Sequence, residues 1–203
     1  MDEEQDFSSD EEQELSSQDT PKKSNLVRKI LVVVGVLILS PVVVFGTLAV
    51  SARAADGPSA VFSGGPLVAG ELVTGPEPDW GFARNVGTIE LQLLDPPRSR
   101  LIWIAEHEGK IYVVSGYMNS FLGRLWKKWP AQAERDGRAI LRIDGRRYER
   151  QLVRLMTEPE VAGVTAEFSR KYGAGMTPAS IEAENTWLFE LAPRAPGMTG
   201  GSR

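Results

Sequence analysis

The chain of 203 residues contains no cysteine and only one histidine, His107. The lack of cysteine excludes disulfides, thiolate nucleophiles and Cys-ligated zinc or iron–sulfur clusters. A single histidine excludes every site that needs two imidazoles. Ser115 belongs to no nucleophile motif, and no glycine-rich phosphate loop follows a predicted strand. We therefore predict no metal site, no hydrolase triad and no nucleotide-binding α/β fold.

Charge is segregated along the chain. Residues 1–21 hold nine acidic side chains and no Lys or Arg, whereas the remainder carries 18 acidic against 23 basic side chains, a net charge of +5. The acidic stretch has too few large apolar residues to offset the entropy of ordering. We expect residues 1–25 to be a disordered tail. It is either simply solvated, or an acidic docking segment or serine phosphorylation target.

A long apolar run follows this tail. Between Lys29 and Arg53 lie 23 uncharged residues, mostly Val, Leu and Ile. At ~1.5 Å per residue they span about 34 Å as a helix, enough for a hydrocarbon core of about 30 Å. A soluble core helix of this length would need more polar positions on its outer face. We predict a single transmembrane helix over residues 26–52, with the lipid bilayer as its partner.

The charges beside this run predict its orientation. Four basic residues precede it and one follows closely: Lys22, Lys23, Arg28 and Lys29, then Arg53. By the positive-inside rule the N-terminus is cytoplasmic and residues 54–203 are extracytoplasmic. The alternative is a signal peptide cleaved at Ala52-Arg53-Ala54. The run is much longer than the ~7–15 residues of a signal-peptide core, which favours an uncleaved anchor.

The rest of the chain divides into three parts. Residues 53–78 are rich in Gly and Pro and predict a linker, with a short strand around residues 67–73. Residues 79–193 form the folded domain, and residues 194–203 a flexible tail.

Period-two alternation and turn residues predict the strands of the folded domain. The predicted strands are residues 88–94, 100–106, 110–115, 138–143, 146–156 and 186–191, with turns at Asp95-Pro96-Pro97, Glu108-Gly109 and Asp144-Gly145. The predicted helices are a short one capped by Asp79, one from Ser120 that Pro130 stops, and one with a Thr157–Glu160 capping box that ends at Gly173. The fold class is therefore α+β, a small closed or half-closed antiparallel barrel with two or three helices.

The aromatic residues and the histidine receive individual interpretations. Trp80, Trp103 and Trp187 have apolar neighbours and are predicted in the core. His107 lies in a turn and is predicted to have no catalytic role. Trp126 and Trp129 flank two lysines in the sequence WKKW. This motif is interpreted as a cover over one barrel end, a stacking platform, or a membrane-facing edge.

Residues 122–154 are strongly basic, with ten Lys or Arg against four acidic residues. On strands, Arg138 and Arg142 share a face, as do Arg146, Arg150 and Arg154. The simplest interpretation is a solvated barrel exterior partly neutralised by Glu134, Asp136 and Glu149. The alternatives are a site for an anionic ligand or contact with anionic lipid headgroups. Nucleic acid is not expected, because the chain is acidic overall and predicted to be tethered to a membrane.

Over residues 86–191 the sequence resembles the split β-barrel flavin-binding superfamily, which includes pyridoxamine-phosphate-oxidase-like proteins and deazaflavin-dependent nitroreductases. The segments PPRSRLIWIAEHEGKIYVVSG, LWKKWP and DGRAILRIDGRRYERQLVRL carry the resemblance. It implies a strand after a basic turn, a hairpin, a Trp-rich crossover and a second hairpin.

The resemblance also implies a cofactor site for FMN or a deazaflavin. Its phosphate would contact the basic turn and the crossover, and its ring a strand edge and aromatic side chains. The matching positions are Arg98, Ser99, Arg100, Ser115, Gly116, Arg124, Trp126, Lys127, Lys128 and Trp129. An enzyme of this kind would transfer hydride to a small oxidised substrate. The alternative is a non-enzymatic scaffold or ligand-sensing module, and the fold is compatible with a homodimer.

Overall fold

The computed structural model describes residues 21–59, 62–119 and 128–194. The predicted acidic tail (apart from residues 21–25), the first part of the predicted helix from Ser120 and most of the C-terminal tail lie outside these residues. The chain divides into two compact units, Met1–Leu48 and Ala49–Arg203.

The first unit contains most of helix α1 (Pro21–Ala54). Its segment Asn25–Ala54 is long and apolar enough to cross a membrane, and it lies near the N-terminus, as a signal sequence would. Its Leu, Ile and Val side chains are exposed along the helix, so no protein core accounts for them. The Thr47 hydroxyl donates to Val43 O at 2.8 Å, which satisfies a polar group within the helix itself.

The second unit is an α+β barrel, as predicted. Its strands are β1 (Glu71–Leu72), β2 (Thr88–Leu94), β3 (Pro97–His107), β4 (Lys110–Ser115), β5 (Arg138–Ile143), β6 (Arg146–Leu155) and β7 (Trp187–Pro193). The helices are a 3₁₀ helix (Trp80–Asn85), α2 (Trp129–Arg135), α3 (Val161–Tyr172) and α4 (Pro178–Glu182). Strands β2 to β7 pair antiparallel in the order β6-β5-β2-β3-β4-β7, and β7 pairs back onto β6. The barrel of six strands is therefore closed, and the short β1 adds parallel to β6.

Two apolar clusters hold this unit together. The first fills the barrel with alternate residues of the six strands, such as Leu91, Ile104 and Leu141, and includes Trp80 and Trp129 from the helices. The second lies between the outer face of β3, β4, β6 and β7 and the helices α3 and α4. Its centre is Phe168, which is fully buried. The α3 face of Val161, Val164 and Phe168 was predicted and is confirmed.

Both predicted two-residue hairpin turns are confirmed. Asp144 and Gly145 have φ of 49° and 72°, and Glu108 and Gly109 have φ of 52° and 77°. These left-handed conformations match the twist of the adjoining strands, which is why Asp-Gly and Glu-Gly close them. Gly173 ends α3 at φ 63°, also as predicted.

Prolines and caps account for most of the errors in the predicted element boundaries. Pro97 was placed in a turn but is the first residue of β3, where a missing N–H is tolerated. Pro130 was predicted to stop a helix but lies in the first turn of α2, where a backbone N–H would have no helical partner and its absence is tolerated. The Thr157–Glu160 capping box is absent. Instead, the Glu158 carboxylate accepts the N–H groups of Met156 and Thr157, so α3 begins only at Val161.

The position of Trp103 is a further correction. It was predicted in the core, but 44% of it is exposed, because β3 alternates and Ile102 and Ile104 occupy the inward positions. Trp187 is half-buried and packs against the barrel core. Trp80 is buried, as predicted. Helix α4, which Thr177 caps, was not predicted.

The connecting segment (residues 55–78), predicted as a linker, is fastened to the barrel. Leu67 is buried, and its N–H donates to the Gln92 side chain of β2 at 2.7 Å. The Asp56 carboxylate accepts the N–H groups of Val68 and Ala69 and an ion pair from Arg142 of β5. The hydrogen bond from Val68 is the main reason why the pKa of Asp56 is lowered.

The barrel core predicts the outcome of one substitution. Leu141→Ala empties part of a fully buried position and should lower the free energy of unfolding by about 2–5 kcal/mol. Leu72→Ala is the matched control at a position 40% exposed, and should change it by no more than about 0.5 kcal/mol. Denaturant unfolding of the full chain in detergent measures both. Equal losses for the two variants would contradict the described core.

Candidate functional site

The barrel opens where β3 and β4 separate. Their ladder runs from the pair His107–Lys110 only to the pair Ile104–Val113. Beyond it, residues 97–103 of β3 continue to pair with β2, and Val114 and Ser115 of β4 continue to pair with β7. Over residues 100–103, β3 pairs with β2 alone, whereas Ser99 also pairs with Gly64 of the connecting segment along its other edge. A slot therefore lies between residues 100–103 of β3 and the end of β4.

A cavity of about 1010 Å³ occupies this slot. It is lined by three groups of residues: Thr88 and 100–103 from β2 and β3; 114–117, Asn119 and Trp129 from β4 and beyond; and 174–176, Ser180, Asn185 and Thr186 around α4. Most of the surface is apolar or aromatic, with a few polar groups, which is the usual composition of a small-molecule site.

Arg100 is the charged residue of the lining. Its Nε is buried and has no hydrogen-bond partner among the described residues. Its guanidinium carbon lies 5.4 Å from the centroid of the Trp129 ring. Burial alone lowers the pKa of Arg100 to about 10, with no acidic group nearby to oppose the shift. The cavity thus contains a desolvated positive charge that no carboxylate of the described residues neutralises.

Four of the six arginines on β5 and β6 are, in contrast, paired with acids, and Arg147 donates to the carbonyls of Leu67 and Gly70. Ion pairs join Arg138 to Asp136, Arg142 to Asp56 and Glu90, Arg150 to Glu77, Arg154 to Glu134 and Glu184, and Arg194 to Glu149. This supports the simplest interpretation of residues 122–154, a barrel exterior whose charge is neutralised. Four of these seven acidic partners lie outside residues 122–154, so the charge count within that window overstated the unpaired positive charge.

The structure brings four of the ten predicted site residues to the cavity: Arg100, Ser115, Gly116 and Trp129. Three others lie elsewhere. Ser99 is fully buried and donates to Gly65 O at 2.6 Å, so it fastens the connecting segment. Arg98 donates to Pro97 O, and Lys128 is exposed before α2. Arg124, Trp126 and Lys127 lie outside the described residues.

Apart from Ser115, the polar wall of the cavity was missed by sequence reasoning. Ser115 is buried, with its hydroxyl 3.4 Å from Met118 Sδ. Asn119 donates to Ala183 O at 2.8 Å, and the backbone of Met118 donates to Asn185 O at 2.9 Å. These bonds fasten the end of β4 to the loop after α4. No regular spacing in the sequence brings these two loops together, so no local signal identified them.

The lining contains no Asp, Glu, His or Lys among the described residues. His107 is half-buried at the far end of β3 and packs on Gly163 of α3, where a Cβ would lie 2.2 Å from its Nε2. It does not line the cavity, so it does not act on a molecule bound there. The described lining offers a cation, hydroxyl and amide groups and aromatic surface, including the phenol of Tyr117.

The chain was compared with known proteins. A solved structure from Listeria innocua, described as "Putative Pyridoxamine 5'-phosphate oxidase", aligns with a TM-score of 0.40 and 11% identity over 56% of this chain and 88% of that chain. A "conserved hypothetical protein Rv2991" from Mycobacterium tuberculosis aligns with a TM-score of 0.43 and 14% identity over 65% of this chain and 95% of that chain. No protein-family model and no curated protein sequence matches the chain. What the cavity binds must therefore follow from its own chemistry.

The unpaired cation predicts an unusual effect on stability. Because the pKa of Arg100 is lowered, its charge is disfavoured in the folded protein, and this cost persists at every pH below that pKa of about 10. Arg100→Met should therefore raise the free energy of unfolding of the ligand-free protein at pH 7 by about 1 kcal/mol.

Arg150→Met is the matched comparison, because Arg150 is also buried but paired with Glu77. It should lower the free energy of unfolding by more than about 1 kcal/mol. Denaturant unfolding at pH 7 gives both values. If Arg100→Met destabilises the protein as much as Arg150→Met does, Arg100 is a structural residue rather than a ligand-binding one.

Proposed function

We propose that the cavity between β3 and β4 binds a phosphate-bearing flavin-type cofactor, FMN or a deazaflavin, in a membrane-anchored barrel. The observation that carries this proposal is the desolvated Arg100 guanidinium, which lines the cavity without an acidic partner. Burying a cation is energetically unfavourable unless an anion pairs with it. A phosphate group supplies the charge and the acceptor oxygens that a planar guanidinium recognises best.

The other residues of the cavity fit the rest of such a cofactor. Ser115 and Asn119 offer neutral hydrogen-bonding groups at the end of β4, and Trp103 and Trp129 offer aromatic faces. The volume of about 1010 Å³ is at the upper end of the range for small-molecule sites, so it accommodates a mononucleotide. The resemblance over residues 86–191 supports the same ligand class.

A bound flavin or deazaflavin supplies hydride transfer as its own chemistry. The residues of this chain would hold the phosphate at Arg100, exclude water from the apolar wall around Val114 and Met176, and position the ring. The described part of the lining has no Asp, Glu, His or Lys, which fits a site that mainly orients a cofactor.

The composition of the described lining also favours a second candidate function. A cavity whose described lining has no Asp, Glu, His or Lys also suits a ligand-sensing module that binds an anionic molecule and performs no reaction. The two candidates differ in what the bound, reduced cofactor does. If a small quinone oxidises protein-bound reduced FMN faster than it oxidises free reduced FMN, a reductase is supported. If the two rates are equal, the sensing module is supported.

We further propose that helix α1 is an uncleaved membrane anchor with the barrel on the extracytoplasmic side. Support comes from the exposed apolar surface of Asn25–Ala54 and from the four basic residues that precede it against one that follows.

Cofactor binding is tested with the full chain in detergent. Wild-type protein should bind FMN or a phosphorylated deazaflavin, seen as a shift in absorbance between about 350 and 470 nm. Arg100→Met should weaken binding roughly ten- to hundredfold, because hydrogen bonds to charged groups contribute about 1.5–3 kcal/mol.

The matched control is Arg135→Met, which removes an exposed arginine of α2 that does not line the cavity. It should leave the dissociation constant within about twofold, since exposed charges contribute little. Absence of binding by the wild type to either cofactor would refute the proposed function, and equal losses in both variants would refute the role of Arg100.

Anchoring and orientation are tested separately. A phosphatase fused after Arg203 should be active outside the cytoplasm and co-sediment with membranes. The mass of the chain itself should be 22.3 kDa, which shows that helix α1 is retained. An inactive fusion would mean the opposite orientation, and a soluble product that starts at Ala55 would mean a cleaved leader.

A further inference from the structure

Trp103 has an exposed ring in the wall of the cavity. It lies on the outer face of β3, is 44% exposed and lines the cavity. One face of its ring is covered by the Tyr172 ring of α3, with centroids 4.5 Å apart and planes within 5°. A large aromatic side chain left half-exposed in a wall of this kind retains apolar surface that a ligand can bury.

Tyr172 is itself fixed from two sides. Its hydroxyl lies 2.6 Å from Gly87 O and 2.7 Å from Ile104 O, and accepts the N–H of Ile104 at 3.1 Å. Burial raises the pKa of Tyr172, so the hydroxyl stays protonated at neutral pH. Its ring also stacks on Phe168, one helical turn earlier, with centroids 5.9 Å apart. Three rings therefore form a stack that begins in the buried second core and ends in the cavity.

The next residue of α3 fixes the same contact. Lys171 Nζ donates to Ala83 O and to Ile104 O, both at 2.8 Å. Together with Tyr172 it fastens the end of α3 to β3 and to the 3₁₀ helix. The position of the Trp103 ring is thus set before any ligand binds, which reduces the entropy lost on binding.

Arg100 and Trp103 are spaced for two parts of one ligand. They are three residues apart on β3, so roughly 10 Å separates them along the strand, and they leave it on opposite faces. Both line the slot, because β3 has no β4 partner over residues 97–103. A ligand that contacts both needs an anionic group at one end and a planar ring at the other.

We propose that Trp103 is the ring-binding platform of the cavity, with Tyr172 as the positioning residue behind it. This inference rests on the proposed function, and it adds a residue that the sequence assigned to the core. The ring of FMN or of a deazaflavin stacks on the face of Trp103 that Tyr172 leaves open, while the phosphate contacts Arg100.

The test uses FMN, the full chain in detergent, and the emission of bound flavin, which a stacked indole quenches. Trp103→Leu should weaken FMN binding about five- to tenfold and restore the emission of bound FMN. Trp103→Phe retains a ring and should bind within about threefold of wild type, again with higher emission. Tyr172→Phe keeps the backing ring and should leave bound FMN quenched.

Phe82→Leu is the matched control, because Phe82 is a 41% exposed aromatic residue outside the cavity lining. It should change neither affinity nor emission. If Trp103→Phe binds FMN with emission as low as that of wild type, the platform is refuted while the role of Arg100 stands. If wild type binds neither FMN nor a phosphorylated deazaflavin, the platform and the proposed function fail together.

Discussion

The early end of the β3–β4 ladder is the constraint on which the candidate site depends. A backbone that closes through β6 and β7 satisfies its hydrogen bonds nearly all the way round, so an opening arises only where two neighbouring strands part. At that point residues from both faces of β3 line the same cavity. This is why a residue from the inward side, Arg100, and one from the outward side, Trp103, line the same cavity. A fully paired β3 would keep them apart.

The electrostatics of the unit support the same location for the site. Most of the basic side chains on β5 and β6 are joined to carboxylates, several of them from the connecting segment and from β2. These pairs keep the exterior nearly neutral and tie distant segments together. Arg100 departs from this pattern, since its charge is desolvated without compensation. Among the described residues of the cavity lining, Arg100 is thus a charged group with a perturbed pKa, the kind of residue that clusters at functional sites.

Local patterns predicted the strands of the barrel well. Period-two alternation marks a strand and an Asp-Gly pair marks a hairpin turn, and both signals lie within a few consecutive residues. Strands β2, β4 and β5 have the predicted bounds. The site was only partly predictable. Trp103 was assigned to the core because its neighbours in the sequence are apolar. It alternates with Ile102 and Ile104 along β3, however, and this alternation places it on the outer face. Ser99 was placed by resemblance at the cofactor, but the connecting segment covers it, and a contact between residues 34 positions apart leaves no mark in either local sequence.

The fastening of residues 55–78 also changes the structural role of this segment. A free chain of that length would have an end-to-end distance of about 25–29 Å and no fixed path. Here Asp56, two residues after helix α1 ends, is bonded to Arg142 of the barrel wall, and Leu67 is buried and bonded to Gln92. The described residues of the segment are therefore part of the wall of the barrel rather than a spacer in front of it.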